Sequence, residues 1–587
     1  LAAGLVAVAL GLLVWSFGRS VAWLRRAARV REDAALDRSP SGLAVLRRRV
    51  LALGLTVLAG LIVVVVLLLP GELEHVTPAA FLRLPIEAVL GLGLVVTLPE
   101  RLRSPAATLA GGLLALLTVA TLFDLGFSAV LGRPFDAMRD WPLLGSATDF
   151  VVGSFGATGA TVALAGTGAL LVVIPLLTTW SVRRLARAAA ARRTVTLRAV
   201  ALLTATWLVL AILGVQVAPG TSLAAASTVD LVRERALQVR AGLADRSRFA
   251  EELAVDEFRD VPDEDLLAAL RGKDVVIAFV ESYGRSAVEA PVYASGVGRV
   301  LDEGTERLAA GRFAARSAFL TSPTAGGSSW LAHATFLSGL WIDNEHRHRT
   351  LLRSDRMTLT QAFGRAGWRA VAVMPGTVKA WDEDAAFYGY DQVYDYPALG
   401  YRGPDLGWAT MPDQYTLAAF ERFERGRTDR PPLLAEIALV SSHAPWAAVP
   451  GVIGWDEVGD GSVYQRLLTT GDRDAIWTKD PETIRATYRG AIEYSLASLI
   501  SYVETYGDDN LVMVILGDHQ PAPLLTGEDA GRDVPITIIT RDRAVLDRIA
   551  DWNWQEGLRP GPQAPVWPMD TFRDRFLGTF STSPKTA

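Results

Sequence analysis

Five side chains in this sequence combine a reactive group with a setting in which it could react: Glu281, Ser328, His443, Asp518 and His519. Three of the settings are alike. Val275-Val276-Ile277-Ala278-Phe279-Val280 ends in Glu281-Ser282, Ile437-Ala438-Leu439-Val440 ends in Ser441-Ser442-His443, and Val512-Met513-Val514-Ile515-Leu516 ends in Gly517-Asp518-His519. Short apolar runs rich in β-branched residues read as buried strands. In open α/β sheets, sites assemble at the carboxyl ends of strands, so a carboxylate, an imidazole and an Asp-His pair can converge there. One such residue alone is better explained as a helix cap or a solvated turn. Three at equivalent strand ends, in a chain with only 6 His, point to a site.

A hydroxyl comes from Thr324-Ala325-Gly326-Gly327-Ser328-Ser329-Trp330-Leu331-Ala332-His333. The two Gly permit a sharp turn, and Ser328 falls where a helix running to about Leu340 would begin. Free N–H groups and the dipole at a helix N-terminus favour an anion, so this Ser suits a phosphoryl group or a metal-bound alkoxide. A plain Ser N-cap is the alternative. Ser328 is expected to be the nucleophile rather than Ser329 because it follows Gly327 directly. His346 and His348, in Asn344-Glu345-His346-Arg347-His348-Arg349, could hold a second cation or form a solvated turn. The chain has 0 Cys, which excludes disulfides, thiolate zinc sites, Cys nucleophiles and iron–sulfur clusters, and leaves O and N ligands for any metal.

The elements that must position these residues lie in the second half. From Asp274, β-rich runs alternate with helical stretches, with further runs at Ala370 to Val373 and Val534 to Ile539. This pattern predicts an α/β domain over 271–587 with a largely parallel central sheet. Residues 219–270 are charged and Ala/Leu-rich with apolar residues at helical spacing, which predicts connecting helices near a membrane surface.

Residues 1–218 read as an all-α transmembrane domain. Apolar runs at about 1–17, 44–70, 79–98, 106–131, 151–180 and 199–218 give six expected spans of a roughly 30 Å hydrocarbon core. The first is open to another reading: the chain starts at Leu1, so a fragment of a longer helix or a signal-like segment fits there too. Alternate connecting loops hold 17 Arg and the intervening ones 3, which predicts that the chain leaves the last span on the extracytoplasmic face. The protein is therefore expected in the cell membrane as a multi-pass chain with its acidic half exported. Residues 219–587 carry 38 basic and 52 acidic side chains, an excess that disfavours nucleic acid as a partner.

The ordered set of Glu281-Ser282, the Gly-Gly-Ser turn, Ser442-His443-Ala444-Pro445-Trp446 and Gly517-Asp518-His519-Gln520-Pro521 resembles the alkaline phosphatase/sulfatase superfamily. It is most similar to the membrane branch of lipoteichoic acid synthase-like phosphoglycerol transferases and phosphoethanolamine transferases, over roughly 270–545. The resemblance implies that Glu281, Asp518 and His519 bind one divalent cation, Mn²⁺ foremost with Zn²⁺ or Mg²⁺ as alternatives. It implies further that Ser328 is both nucleophile and metal ligand, that His443 contacts the phosphate or leaving group, and that Trp381 contacts substrate. Two positions on, Glu383 stands where the lipoteichoic acid synthases have Arg, and His333 stands where they have an acidic residue. The implied activity is transfer of a phospho-alcohol group from a membrane lipid donor to a cell-envelope glycan or lipid acceptor through a phospho-Ser. A phosphate or phosphodiester hydrolase of the same superfamily and a catalytically silent envelope scaffold are the competing readings. Formylglycine sulfatases are disfavoured, because Ser328-Ser329-Trp330-Leu331-Ala332 lacks the Pro and Arg that they need.

Overall fold

In a computed structural model, residues 40–582 are described apart from 73–74, 132, 137–139, 141–142, 379–381, 406–408, 447–448, 468–478 and 528–529. The chain divides into two compact units, Leu1–Leu125 with Ala165–Leu237, and Gly126–Leu164 with Gln238–Ala587.

Four helical stretches among the described residues are long and apolar enough to cross a membrane: Leu46–Leu68, Glu100–Ala129, Thr158–Ala190 and Arg193–Ile212. Six spans were expected. The run at 79–98 instead forms a 3₁₀ turn, Pro78–Leu82, and then a helix Ile86–Thr97 of 12 residues. At 1.5 Å per residue that helix reaches about 18 Å, too short for a 30 Å core. The run at 1–17 lies outside the described residues.

The second unit is built on a 9-stranded sheet. Its strands are β1 (Asp274–Val280), β2 (Ala314–Thr321), β3 (Arg369–Met374), β4 (Gln392–Asp395), β5 (Leu433–Leu439), β6 (Leu511–Gly517), β7 (Asp533–Thr540), β8 (Gln555–Glu556) and β9 (Val566–Pro568). They lie in the order β8-β2-β7-β6-β1-β5-β3-β4, with β9 also on β2. From β6 to β4 every pairing is parallel, whereas β7 runs antiparallel to both β6 and β2. The sheet is thus mixed, where a largely parallel one was expected. Parallel neighbours need a crossover, usually a helix, and the described residues among 518–532 between β6 and β7 hold only the one-turn helix Pro523–Thr526.

All seven residues of β1 are buried. Val275, Ile277 and Phe279 enter one apolar layer while Val276, Ala278 and Val280 enter the other, so this strand is covered on both faces. The helix Pro481–Tyr506 contributes Ile484, Tyr488, Ile492, Leu496 and Leu499 to the second layer. The helices Ser329–Ser338 and Thr571–Phe580 supply Phe336 and Phe572 to the first, where their rings stack at 4.3 Å.

Candidate metal and nucleophile site

Strands β6, β1 and β5 run side by side in parallel, with Gly517 level with Val280 and Val280 level with Leu439. This register brings the residues that follow each strand to one edge of the sheet. Glu281 extends the ladder by one bond, its N–H donating to the Leu439 carbonyl at 3.1 Å. The chain then turns through Ser282, whose φ is +56°. The N–H groups of Ser282 and His519 both donate to Asp518 Oδ1, at 2.8 and 2.7 Å. Ser442 Oγ donates to the Glu281 carbonyl at 2.6 Å, tying the end of β5 to the end of β1.

These bonds orient a cluster. A carboxylate oxygen of Glu281, one of Asp518 and a ring nitrogen of His519 lie within 4.8 Å of one another, all three residues buried. His519 Nδ1 sits 2.8 Å from the Gln520 carbonyl, which leaves Nε2 for the cluster, 3.3 Å from Glu281 Oε1 and 3.7 Å from Asp518 Oδ2. Two carboxylates and an imidazole form a donor set suited to Mn²⁺, Zn²⁺ or Mg²⁺, and the cluster could hold such an ion.

The electrostatics agree with that fit. Burial opposes the charge on Glu281, yet His443 and His519 alongside hold its carboxyl well below the usual range. Burial, and then the neighbouring charge of Glu281, push Asp518 up to about 7. Burial opposes the charged form of His519 as well, but Asp518 and Glu281 raise it to about 9. Two buried carboxylates this close repel unless a proton or a cation lies between them.

The hydroxyl that meets this cluster belongs to Ser329. Its Oγ donates to Glu281 Oε2 at 2.9 Å and lies 3.2 Å from His519 Nε2. Ser328, the expected nucleophile and metal ligand, has no such bond among the described residues. The reason lies in the turn, which takes three residues of positive φ: Gly326 at +73°, Gly327 at +151° and Ser328 at +64°. Ser328 is thus spent as the left-handed N-cap, and the helix Ser329–Ser338 starts one residue later than the two Gly suggest. The turn is held to the end of β6, with the Gly326 N–H donating to the Gln520 carbonyl at 2.8 Å.

A cavity of about 560 Å³ opens beside the cluster, lined by Glu281, Ser328, Ser329, His443 and Asp518 among others. His443 is therefore brought to the site, with its Nδ1 against the Ala444 carbonyl. His348 also lines the cavity but is not one of the three clustered ligands, and its neighbouring charges are Asp384 and Glu345. Charges of Arg246 and Asp245 act on His346 instead. Trp381 and the side chain of Glu383 lie outside the described residues.

The cavity wall holds a group that sequence reasoning passed over. Glu436 sits in the middle of β5 with only 1% of its surface exposed, among Leu433, Leu434, Ala435 and Ile437. An acid at that depth needs partners to offset desolvation. His333 Nδ1 lies 2.6 Å from Glu436 Oε1, the Tyr390 hydroxyl donates to Oε2, and the His333 ring stacks on Phe279 at 3.7 Å. The one signal was the Glu itself, a lone charge inside an apolar strand.

No family model matches this chain, and no curated protein matches it. Solved structures do. The lipoteichoic acid synthase LtaP from Listeria monocytogenes matches at 16% identity and a TM-score of 0.36, over 56% of this chain and 76% of that one. The Streptococcus pyogenes phosphoglycerol transferase GacH, in complex with sn-glycerol-1-phosphate, matches at 12% and 0.35, over 58% and 81%. The soluble domain of lipooligosaccharide phosphoethanolamine transferase A from Neisseria meningitidis matches at 15% and 0.35, over 52% and 87%.

Proposed function

We propose that this chain is a metal-dependent transferase that moves a phospho-alcohol group, of the phosphoglycerol or phosphoethanolamine type, from a membrane lipid to a cell-envelope acceptor through a phospho-Ser on Ser329. One observation carries the reading: a hydroxyl on the first residue of a helix lies within hydrogen-bond reach of a buried Glu281/Asp518/His519 cluster that opens onto a cavity.

A divalent cation held by Glu281, Asp518 and His519, with Mn²⁺ foremost, would supply positive charge that favours ionised Ser329 and neutralises phosphoryl oxygens. Ser329 Oγ attacks phosphorus, the bond to the donor alcohol breaks, and the head group stays on the enzyme. The acceptor hydroxyl then attacks the same phosphorus and Ser329 departs. His443, on the cavity wall, contacts the phosphoryl group or the departing oxygen. The apolar N-terminal helices tether the chain to the membrane that holds its lipid donor, and the Arg asymmetry of the loops favours an extracytoplasmic site.

The test is to incubate the full chain in vesicles with phosphatidylglycerol or phosphatidylethanolamine labelled in the head group, then to map the label by mass spectrometry. Label on Ser329 supports the reading. Release of the head group to water with no transfer to any envelope acceptor favours the hydrolase. No labelled enzyme and no turnover with either lipid favours the silent scaffold.

A further inference from the structure

We propose that His333, held by Glu436, is the acid–base residue of the transfer, an inference that rests on the phosphotransferase reading of the same site. Three observations support it. First, His333 follows Ser329 by four residues on the helix Ser329–Ser338, so the two side chains share one face, roughly 5–6 Å apart at Cβ. Both line the cavity. Second, Glu436 is buried in β5 and receives the Tyr390 hydroxyl on one oxygen and the His333 ring on the other. A buried carboxylate at Nδ1 fixes a proton on that nitrogen, orients the ring, and leaves Nε2, which has no hydrogen-bond partner among the described residues. Third, the ring is clamped against Phe279 at an interplanar angle of 18°. A carboxylate, a tyrosine and a stacked aromatic form a costly support for a histidine that merely fills space.

The proton balance closes over the two halves, with Ser329 reacting as its ionised oxygen and released as the same ionised oxygen. As the Ser329 oxygen bonds to phosphorus, the bond from phosphorus to the donor alcohol breaks, and Nε2–H of charged His333 gives its proton to that departing oxygen. Now neutral, His333 takes the proton of the acceptor hydroxyl as its oxygen bonds to phosphorus and the bond to Ser329 breaks. His333 ends as it began.

A general acid matters in proportion to how poorly the alcohol leaves. The experiment compares single-turnover release of alcohol by the full chain from the diacylglycerol ester and from the p-nitrophenyl ester of the same phospho-head group, phosphoglycerol and phosphoethanolamine each in turn. His333→Gln is expected to lose roughly 10²–10⁴-fold on the lipid, whose alkoxide needs the proton, and at least tenfold less than that on p-nitrophenyl, whose phenolate does not. Activity on p-nitrophenyl also shows that the variant is folded. Glu436→Gln is expected to show the same bias at smaller size. Equal losses on the two esters would reduce His333 to a structural role and overturn the inference, as would no loss on either. Wild type inert toward both esters would overturn the phosphotransferase reading, and this inference with it.

Discussion

The Ser329 hydroxyl lies 2.9 Å from Glu281 Oε2, across 48 residues of chain, while Ser328 next to it occupies the left-handed cap of the same helix. The two serines therefore have separable jobs. Ser329→Ala is expected to abolish both turnover and the labelled phospho-enzyme. Ser328→Gly should keep both, and should raise thermal stability slightly, because a left-handed residue with a side chain costs about 1 kcal/mol more than Gly there. Mass spectrometry and a thermal melt of each variant check this; label on Ser328 would reverse the assignment.

Metal content should follow Asp518. Asp518→Asn removes one of the three clustered ligands and is expected to leave the purified protein with most of its Mn²⁺ or Zn²⁺ gone by elemental analysis. Equal metal in wild type and variant would remove Asp518 from the ligand set.

The pH dependence of metal uptake has a defined sign. Burial first and Glu281 second push the Asp518 carboxyl up to about 7, so near and below that pH a proton occupies the group that a cation needs. Apparent affinity for Mn²⁺ should rise as pH increases through 7 and go on rising toward 9, where the His519 ring also gives up the proton that competes with the cation. Calorimetric titrations at pH 6, 7 and 8 read this directly; affinity flat across that range would mean that the cation binds elsewhere.

Asp413 supports the site from behind. Fully buried, it accepts the N–H groups of Val440 and Ser441, both at 2.9 Å, where β5 hands over to His443. Asp413→Ala strands two buried donors and is expected to cost about 2–4 kcal/mol. Turnover should fall further than stability explains, since His443 loses its anchor. Denaturation and lipid turnover measured on the same preparation check both halves.

Topology is open to a direct test. A reporter fused after Gly220 should be active outside the cell and one inserted near Arg192 inside, as the Arg asymmetry of the loops requires. The reverse pattern would remove the exported site and with it the choice of an envelope substrate.

Much of the candidate site could be read from the sequence because Glu281 and the Asp518-His519 pair follow unbroken apolar runs. β1 and β6 are buried along their whole length, so their sequences show a continuous run and then an abrupt polar residue, whereas Glu436 breaks the run of β5. β2 has no such run: Arg316 and Ser317 interrupt it, and it gains strand character from pairing with β7, β8 and β9. The mixed sheet was hidden for the same reason, because strand direction depends on what crosses over and not on the strand itself. The approach of Ser329 to Glu281 was hidden because two Gly look sufficient for a turn that also takes in Ser328. Glu436 and His333 are 103 residues apart, and only the fold pairs them.

The strict alternation of β1 between two apolar layers makes the strand a parity counter for the site. Adding or deleting one residue within Asp274–Val280 would move Glu281 by about 3.3 Å and turn it to the opposite face of the sheet, while two residues would restore the face but misplace the carboxylate by about 6.6 Å. A change of length within β1 therefore disturbs the cluster, whereas one in the segments between strands leaves this count intact. Any engineered insertion, whether tag, linker or domain, has to respect that count.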